Sequence, residues 1–326
     1  MAFAHIPFAD TGVTVSNVCL GTMMFGGKTP EDQAAAIMMR ALDAGLNFWD
    51  TAPMYHDTVT ESILGRTIGA RRDDIFLATK VHVGVTYAEI VDSCKQSLAR
   101  LKTDRVDLLQ IHWPKEGMIL EEMIRALDDL VQSGLVMHIG CCNFPAWVLA
   151  KFAQLADTLG ASPVVSFQPP YNLIERGIEL ELAPLCLHEK IAIVPYRPLV
   201  IGLLAGKYRK GAPMPDDARG QSDDRIAPLV EQYGDAIEKL IAFAEARNVT
   251  AAAVAVSWLQ AQPAVTAPIV GVSRMSQMEE LIQHSDFTLT ADEAAEVAGF
   301  FNAELKEFGL GGFPAWRRNR SVLAKT

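Results

Sequence analysis

Eight short apolar runs recur along the chain, at residues 18–20, 46–50, 75–80, 106–112, 136–140, 164–168, 191–195 and 266–270, and they restrict the fold more than any other feature. Continuous apolar runs of this length suit strands buried on both faces, the environment of a parallel sheet. Between them lie segments with helical spacing, at 30–44, 61–68, 87–101, 120–132, 147–159, 179–189 and 230–247. Pro30 opens the first, and Gly45, Gly134 and Gly160 follow the ends of three, as expected of helix starts and left-handed helix stops. Strand and helix in strict alternation require crossover connections, hence parallel strands. The eightfold count favours an α/β fold of the (β/α)8 TIM barrel type over an open doubly wound sheet, and no Gly-x-Gly-x-x-Gly follows the first strand. Gly202-Leu203-Leu204-Ala205-Gly206-Lys207-Tyr208 comes near a phosphate loop, but it is one residue short and has Tyr208 where Ser or Thr would bind magnesium.

With 326 residues, 50% hydrophobic and 21% charged, the chain can build one large barrel domain over 1–326. Three stretches exceed the bare barrel. Residues 1–16 read as an N-terminal β-hairpin cap turning at Asp10 to Gly12, residues 198–227 as a long loop after strand seven, and residues 290–326 as a C-terminal helix and tail. Long loops at the C-terminal face of a barrel cover its site. The net charge of -10, with basic clustering confined to Arg317, Arg318 and Arg320, argues against a nucleic-acid surface. Neither a secretory signal nor an apolar run of about 18 residues occurs, so a cytoplasmic protein without membrane contact is expected, either a monomer or a homo-oligomer. Cys19, Cys94, Cys141, Cys142 and Cys186 are odd in number and lack metal-ligand spacing, which suits free thiols in a reducing compartment.

Polar residues stand where the predicted strands end: Asp50 closes strand two, Lys80 strand three and His112 strand four, and Tyr55 follows a short bend after Asp50. These ends share one face of a barrel, the face on which barrel enzymes carry their catalysts. A carboxylate ending a buried strand needs a cation or donors, and Lys80 is the first candidate. Such a cation is expected to lower the Tyr55 phenol's pKa toward the operating pH, making it a general acid, while His112 donates to a carbonyl oxygen. Each residue alone also suits a structural part: Asp50 a turn cap, Tyr55 a loop anchor, Lys80 a solvated strand end, His112 a satisfied core histidine. Together they suit proton delivery to an oxygen. A metal-dependent hydrolase would need more strand-end ligands than Asp50 and His112, so no metal is expected.

Asn47-Phe48-Trp49-Asp50-Thr51-Ala52 with Tyr55, then Ala78-Thr79-Lys80, then Asp107-Leu108-Leu109-Gln110-Ile111-His112-Trp113-Pro114, resemble the aldo-keto reductases over nearly the full chain. The resemblance implies a tetrad of Asp50, Tyr55, Lys80 and His112 that reduces aldehydes and ketones with NADPH, on a barrel that needs no Rossmann fold. It also implies a cofactor bed. Gly140-Cys141-Cys142-Asn143-Phe144 looks like the family's Gly-Val-Ser-Asn-Phe, so Asn143 and Gln168 would hold the nicotinamide carboxamide. Tyr196 would stack on the ring, with Arg197 and Leu199 following it, and Lys207 would meet the pyrophosphate. Gly271-Val272-Ser273-Arg274 resembles the grip on the adenosine 2′-phosphate, with Gln277 and Glu280 near adenine. An Arg fork with a hydroxyl suits a phosphate monoester, so NADP(H) is expected over NAD(H).

Three departures bear on cofactor affinity and leave the tetrad untouched: Cys142 stands for a usual Ser, Arg197 for a Ser and Leu281 for an Asn. Met24, Phe25, Met54 and Trp113, with Met23, Phe313 and Trp316, are candidates to line an apolar mouth for a small carbonyl or alcohol. The expected activity is NADP-dependent reduction of an aldehyde or ketone. The same tetrad working mainly as an alcohol or sugar dehydrogenase, or a slow NADP-binding regulatory protein, are the alternatives.

Overall fold

The structure, a computed structural model, describes residues 2–215, 221 and 223–301, so Phe313, Trp316 and the tail arginines lie outside it. The chain opens with an antiparallel pair, β1 (His5–Pro7) and β2 (Thr14–Ser16), at the expected hairpin. Eight parallel strands follow: β3 (Cys19–Gly21), β4 (Phe48–Asp50), β5 (Phe76–Val81), β6 (Val106–Ile111), β7 (Val136–Cys142), β8 (Val164–Gln168), β9 (Ala192–Ile193) and β10 (Ile269–Gly271). They pair in chain order, and β10 pairs with β3. Between β9 and β10 the ladder continues through a parallel bridge from Ile193 to Val265 and bonds from Thr266 N to Ile193 O and from Ile269 N to Pro195 O, both 2.8 Å. The sheet therefore curls round on itself with helices outside, a (β/α)8 barrel.

The helices are α1 (Glu31–Asp43), α2 (Val59–Thr67), α3 (Tyr87–Leu101), α4 (Leu120–Gln132), α5 (Ala146–Thr158), α6 (Leu182–His188), α7 (Ile226–Glu245), α8 (Ala251–Gln260), α9 (Met275–Gln283) and α10 (Ala291–Gly299). The spacing of the sequence anticipates neither α8 nor α9. In α8 Ala251, Val254 to Val256 and Trp258 to Leu259 are all buried, so no polar face marks a period. In α9 only Met278 is buried, so no apolar stripe does. No helix among the described residues is long and apolar enough to cross a membrane.

Strand alternation splits the barrel interior into layers. At the amino end, Cys19, Phe48, Phe76, Leu108 and Ile269 point inward and meet Phe8 and Val15 of the hairpin. The Phe8 ring lies 5.6 Å from Phe48 and 4.8 Å from Phe76, so aromatic packing closes that end. Two residues further along the same strands the interior turns polar, with Asp50 on β4 and Gln110 on β6, and Lys80 lies beside Gln110 in the β5–β6 register. Their outward neighbours Trp49, Val81 and Leu109 belong to the larger core under the helices.

Candidate active site

Asp50 and Lys80 meet at the carboxyl end of the barrel. Lys80 Nζ donates to Asp50 Oδ1 at 2.6 Å, to the Thr51 carbonyl at 2.9 Å and to the Tyr55 hydroxyl at 3.2 Å. The other carboxylate oxygen accepts from Gln168 Nε2 at 2.9 Å and, more weakly, from Gln110 Nε2 at 3.5 Å. A buried ion pair persists only where its remaining lone pairs and protons are met. Here all three ammonium donors and both carboxylate oxygens have partners.

Tyr55 is set by the loop after β4. His56, Asp57 and Thr58 all have left-handed φ, at 47°, 50° and 71°, each at about 1–2 kcal/mol for a residue with a Cβ. The loop is tied down by Thr58 N to Pro53 O at 2.9 Å and by Thr60 Oγ1 to Phe25 O at 2.8 Å. These bonds hold the strained loop in place, and with it the phenol, whose hydroxyl lies 3.2 Å from the Lys80 ammonium. His112 follows β6, and its ring lies edge-on to Tyr55 at 6.3 Å. His112 Nδ1 is buried without a hydrogen-bond partner among the described residues. An orphaned N–H is rarer than an unfilled lone pair, so bond bookkeeping assigns the proton to Nε2 and makes that nitrogen the donor.

Burial governs the protonation states. It is the largest single influence and opposes the Lys80 charge, but the Asp50 carboxylate, together with smaller help from Tyr55 and Cys142, more than offsets it, so the ammonium's pKa is raised. Burial pushes the Tyr55 phenol up to about 12, with Lys80 pulling the other way. The sequence-based expectation of a phenol brought down toward neutrality is corrected here: the cation acts in the expected direction, but desolvation is the larger effect. Burial, then Lys80, then His82 hold His112 well below the ordinary histidine value, so it is neutral.

The residues expected to hold a cofactor fall into two groups. Next to the tetrad, Asn143 Nδ2 donates to the His112 carbonyl at 3.1 Å and Asn143 Oδ1 accepts from the Tyr196 hydroxyl at 2.9 Å. Asn143 takes a left-handed φ of 62°, which Asn tolerates better than most residues. Gln168 is bonded to Asp50 through its amide nitrogen, and the Cys142 thiol faces Gln110 Oε1 at 3.7 Å inside the barrel. The second group, Leu199, Lys207, Arg274, Gln277 and Glu280, lines a cleft of about 290 Å³ together with Leu281. Ser273 lies beside that cleft, its hydroxyl and backbone N–H bonded to Gln277 Oε1 at 3.1 and 2.8 Å. The Arg197 guanidinium lies 5.8 Å from the Tyr196 ring.

Of the expected pocket residues, Met54 is exposed beside the mouth, Met24 is half-buried, and Trp113 stacks near-parallel on His112 at 6.0 Å. Phe25 is fully buried in the core under the helices. Two residues near the tetrad were not singled out from sequence: Gln110, described above, and His82, whose ring lies 5.4 Å from His112. Alternation held the signal for both, since His82 is two residues past Lys80 and Gln110 two before His112.

A barrel with a buried Lys–Asp pair under a tyrosine hydroxyl, a neutral histidine beside it and a cationic cleft alongside defines an oxidoreductase of the (β/α)8 type. The chain belongs to the aldo/keto reductase family, whose model matches residues 17–301. It is 34% identical to the oxidoreductase YrpG of Bacillus subtilis (strain 168) over 299 residues, 86% of this chain and 90% of that protein. It is 31% identical to the aldo-keto reductase YhdN of the same organism over 310 residues, 90% of this chain and 92% of that one. It is also 31% identical over 293 residues to a probable voltage-gated potassium channel subunit beta of Arabidopsis thaliana, 85% of this chain and 89% of the relative.

Proposed function

We propose that the protein reduces an aldehyde or ketone to an alcohol with NADPH, and that Tyr55 is the general acid. The observation that carries this is the Lys80 ammonium, 2.6 Å from Asp50 and 3.2 Å from the Tyr55 hydroxyl, buried at the barrel mouth. When bound, the nicotinamide supplies hydride to the carbonyl carbon. With a pKa of about 12 Tyr55 keeps its proton at neutral pH and releases it only to a base as strong as a developing alkoxide. Lys80 then stabilises the phenolate, and Asp50 keeps Lys80 charged and in place. His112 orients the carbonyl oxygen through Nε2–H.

The donor set fits a phosphorylated dinucleotide. Lys207 and Arg274 bring two cations to one cleft, where Val270, Val272 and Leu281 offer apolar surface to a base. Arg274 with Ser273 suits the 2′-phosphate, which favours NADP(H) over NAD(H). Asn143, Gln168 and Tyr196 are grouped where a nicotinamide would reach the tetrad. Five buried free thiols accord with a reducing, cytoplasmic setting.

Tyr55→Phe should lower turnover at least about a hundredfold while NADPH binding stays within about twofold. Turnover retained in that variant would sink the assignment. A second reading, a slow cofactor-holding subunit of a larger assembly, is favoured by the likeness to the Arabidopsis protein. Tight NADPH binding without turnover on any aldehyde, ketone or alcohol would support it.

A further inference from the structure

Lys80 points into the barrel, so its strand neighbour Thr79 points out, toward α2 and α3. There the Thr79 hydroxyl donates to Glu61 Oε1 at 2.6 Å, and Arg100 Nε donates to Glu61 Oε2 at 2.7 Å. Arg100 Nη2 also donates to Ser97 Oγ at 3.1 Å. Thr79 and Glu61 are fully buried, and the Arg100 side chain is mostly so. The cluster joins three elements, with Glu61 from the first turn of α2, Arg100 from the last turn of α3 and Thr79 from β5. Gly65, one turn after Glu61, lets the two helices meet: a Cβ there would lie 2.2 Å from the Arg100 carbonyl oxygen. All of this stands on the far side of β5 from the tetrad. Hydrocarbon side chains of similar volume are often at least as stable in the place of a buried ion pair, so stability alone does not account for this one.

What the cluster fixes is the joint between β5 and the start of α2, and the same joint carries the contact between Lys80 and Tyr55. Lys80 is the residue after Thr79, and Tyr55 precedes Glu61 across the loop whose residues 56–58 are left-handed. Thr60 N, next to Glu61, donates to the Tyr55 carbonyl at 3.4 Å. We propose that Glu61 and Thr79 are positioning residues: their bond pins the start of α2 to the outer side of β5 and so sets the 3.2 Å approach of the Tyr55 hydroxyl to the Lys80 ammonium on the inner side. Arg100 holds the carboxylate in place for that bond. A strained loop relaxes once one of its ends is loose, and misplacing a reacting group by about 1 Å can cost about a hundredfold in rate. This inference rests on the reading of Tyr55 as the general acid.

The test is the rate of NADPH oxidation in a single turnover, with NADPH bound beforehand and the carbonyl compound that the wild type reduces fastest out of a panel of aliphatic and aromatic aldehydes and ketones. Thr79→Val keeps the shape of the side chain and removes only the hydroxyl. It should lower that rate about tenfold, the equivalent of one hydrogen bond, while the Kd for NADPH stays within about twofold. Thr79→Ser, which keeps the hydroxyl, should stay within about threefold of the wild type. In a Tyr55→Phe background no phenol proton remains to be placed, so adding Thr79→Val should change the residual rate by less than about twofold. Thr79→Ala, which leaves room for a water against the carboxylate, takes the place of Thr79→Val if that variant does not fold, with the same loss expected. A rate within about twofold of wild type in the variant without the hydroxyl, even where urea unfolding shows lost stability, overturns the proposal and leaves the cluster a purely structural joint. An equal loss in the Tyr55→Phe background, or a loss in Thr79→Ser as large as in Thr79→Val, overturns it too. No Tyr55-dependent oxidation of NADPH by any member of the panel overturns the tetrad reading and this inference with it.

Discussion

Replacing Lys80 by Met removes the charge at the centre of the site while keeping a similar apolar volume. The Lys80 and Asp50 side chains are 0% and 3% exposed and 2.6 Å apart, so the variant leaves a carboxylate in the barrel with no cation. Breaking a buried pair by removing one partner typically costs about 3–5 kcal/mol. Gln168 and Gln110 still donate to the carboxylate, which places the expected loss toward the lower end, about 3–4 kcal/mol. Removing both charges in Asp50→Leu/Lys80→Met should do less harm than removing one. That double variant loses no ion and leaves chiefly the Gln168 amide without its acceptor, about 1–3 kcal/mol. Equilibrium unfolding in urea at about pH 8 measures all three proteins.

The pH dependence separates this reasoning from a simple packing defect. In wild type the folded-state pKa of Lys80 is raised, so its contribution is fully present below the unfolded value of about 10.4 and lost only as pH rises through the folded one. Between roughly pH 5 and 8 that contribution is constant. A packing defect would leave the deficit of Lys80→Met unchanged as pH rises, whereas loss of the ion pair predicts a deficit that shrinks once the wild-type ammonium begins to lose its proton on unfolding, above about pH 10. A single variant within about 1 kcal/mol of wild type, or a double variant no more stable than the single, would refute the picture of a desolvated, mutually dependent pair.

The Tyr55 and Thr79 experiments above are joined by two others. His112 is held well below 6.5 and Tyr55 near 12, so kcat at saturating NADPH should be flat within about twofold from roughly pH 6 to 8. An acid limb near 6.5 would mean that His112 titrates in the working site and is not neutral as described. Arg274→Met should raise KM for NADPH about tenfold to a hundredfold and leave KM for NADH nearly unchanged. An equal effect on both cofactors would remove the 2′-phosphate assignment.

The strands were legible because most of their residues are buried and so read as apolar runs; β8 keeps its expected bounds and β7 runs two residues further, to Cys142. Helices α3 and α4 were legible to the residue because each has one wet face and one dry face. Helix α8 was not, because burial on nearly every side erases the period, and α9 was not, because almost none of it is buried. In the site, Asp50, Lys80 and His112 were visible as polar groups ending apolar runs and Tyr55 as a tyrosine a short bend beyond Asp50, whereas Gln110 and His82 were passed over although the same two-residue alternation carries them.

The order of residues by itself determined which groups face the barrel mouth, since strand alternation and strand number follow from local pattern. Asp50 and Lys80 needed no coordinates to be paired, because an unpartnered carboxylate at a buried strand end is too unfavourable to persist. Only the tertiary structure decided how those groups behave. Desolvation depends on everything packed around a group, so the phenol of Tyr55 goes up to about 12 despite its cation. Gln168 turns its amide nitrogen to Asp50, and His82 sits against His112, through contacts between strands far apart in sequence.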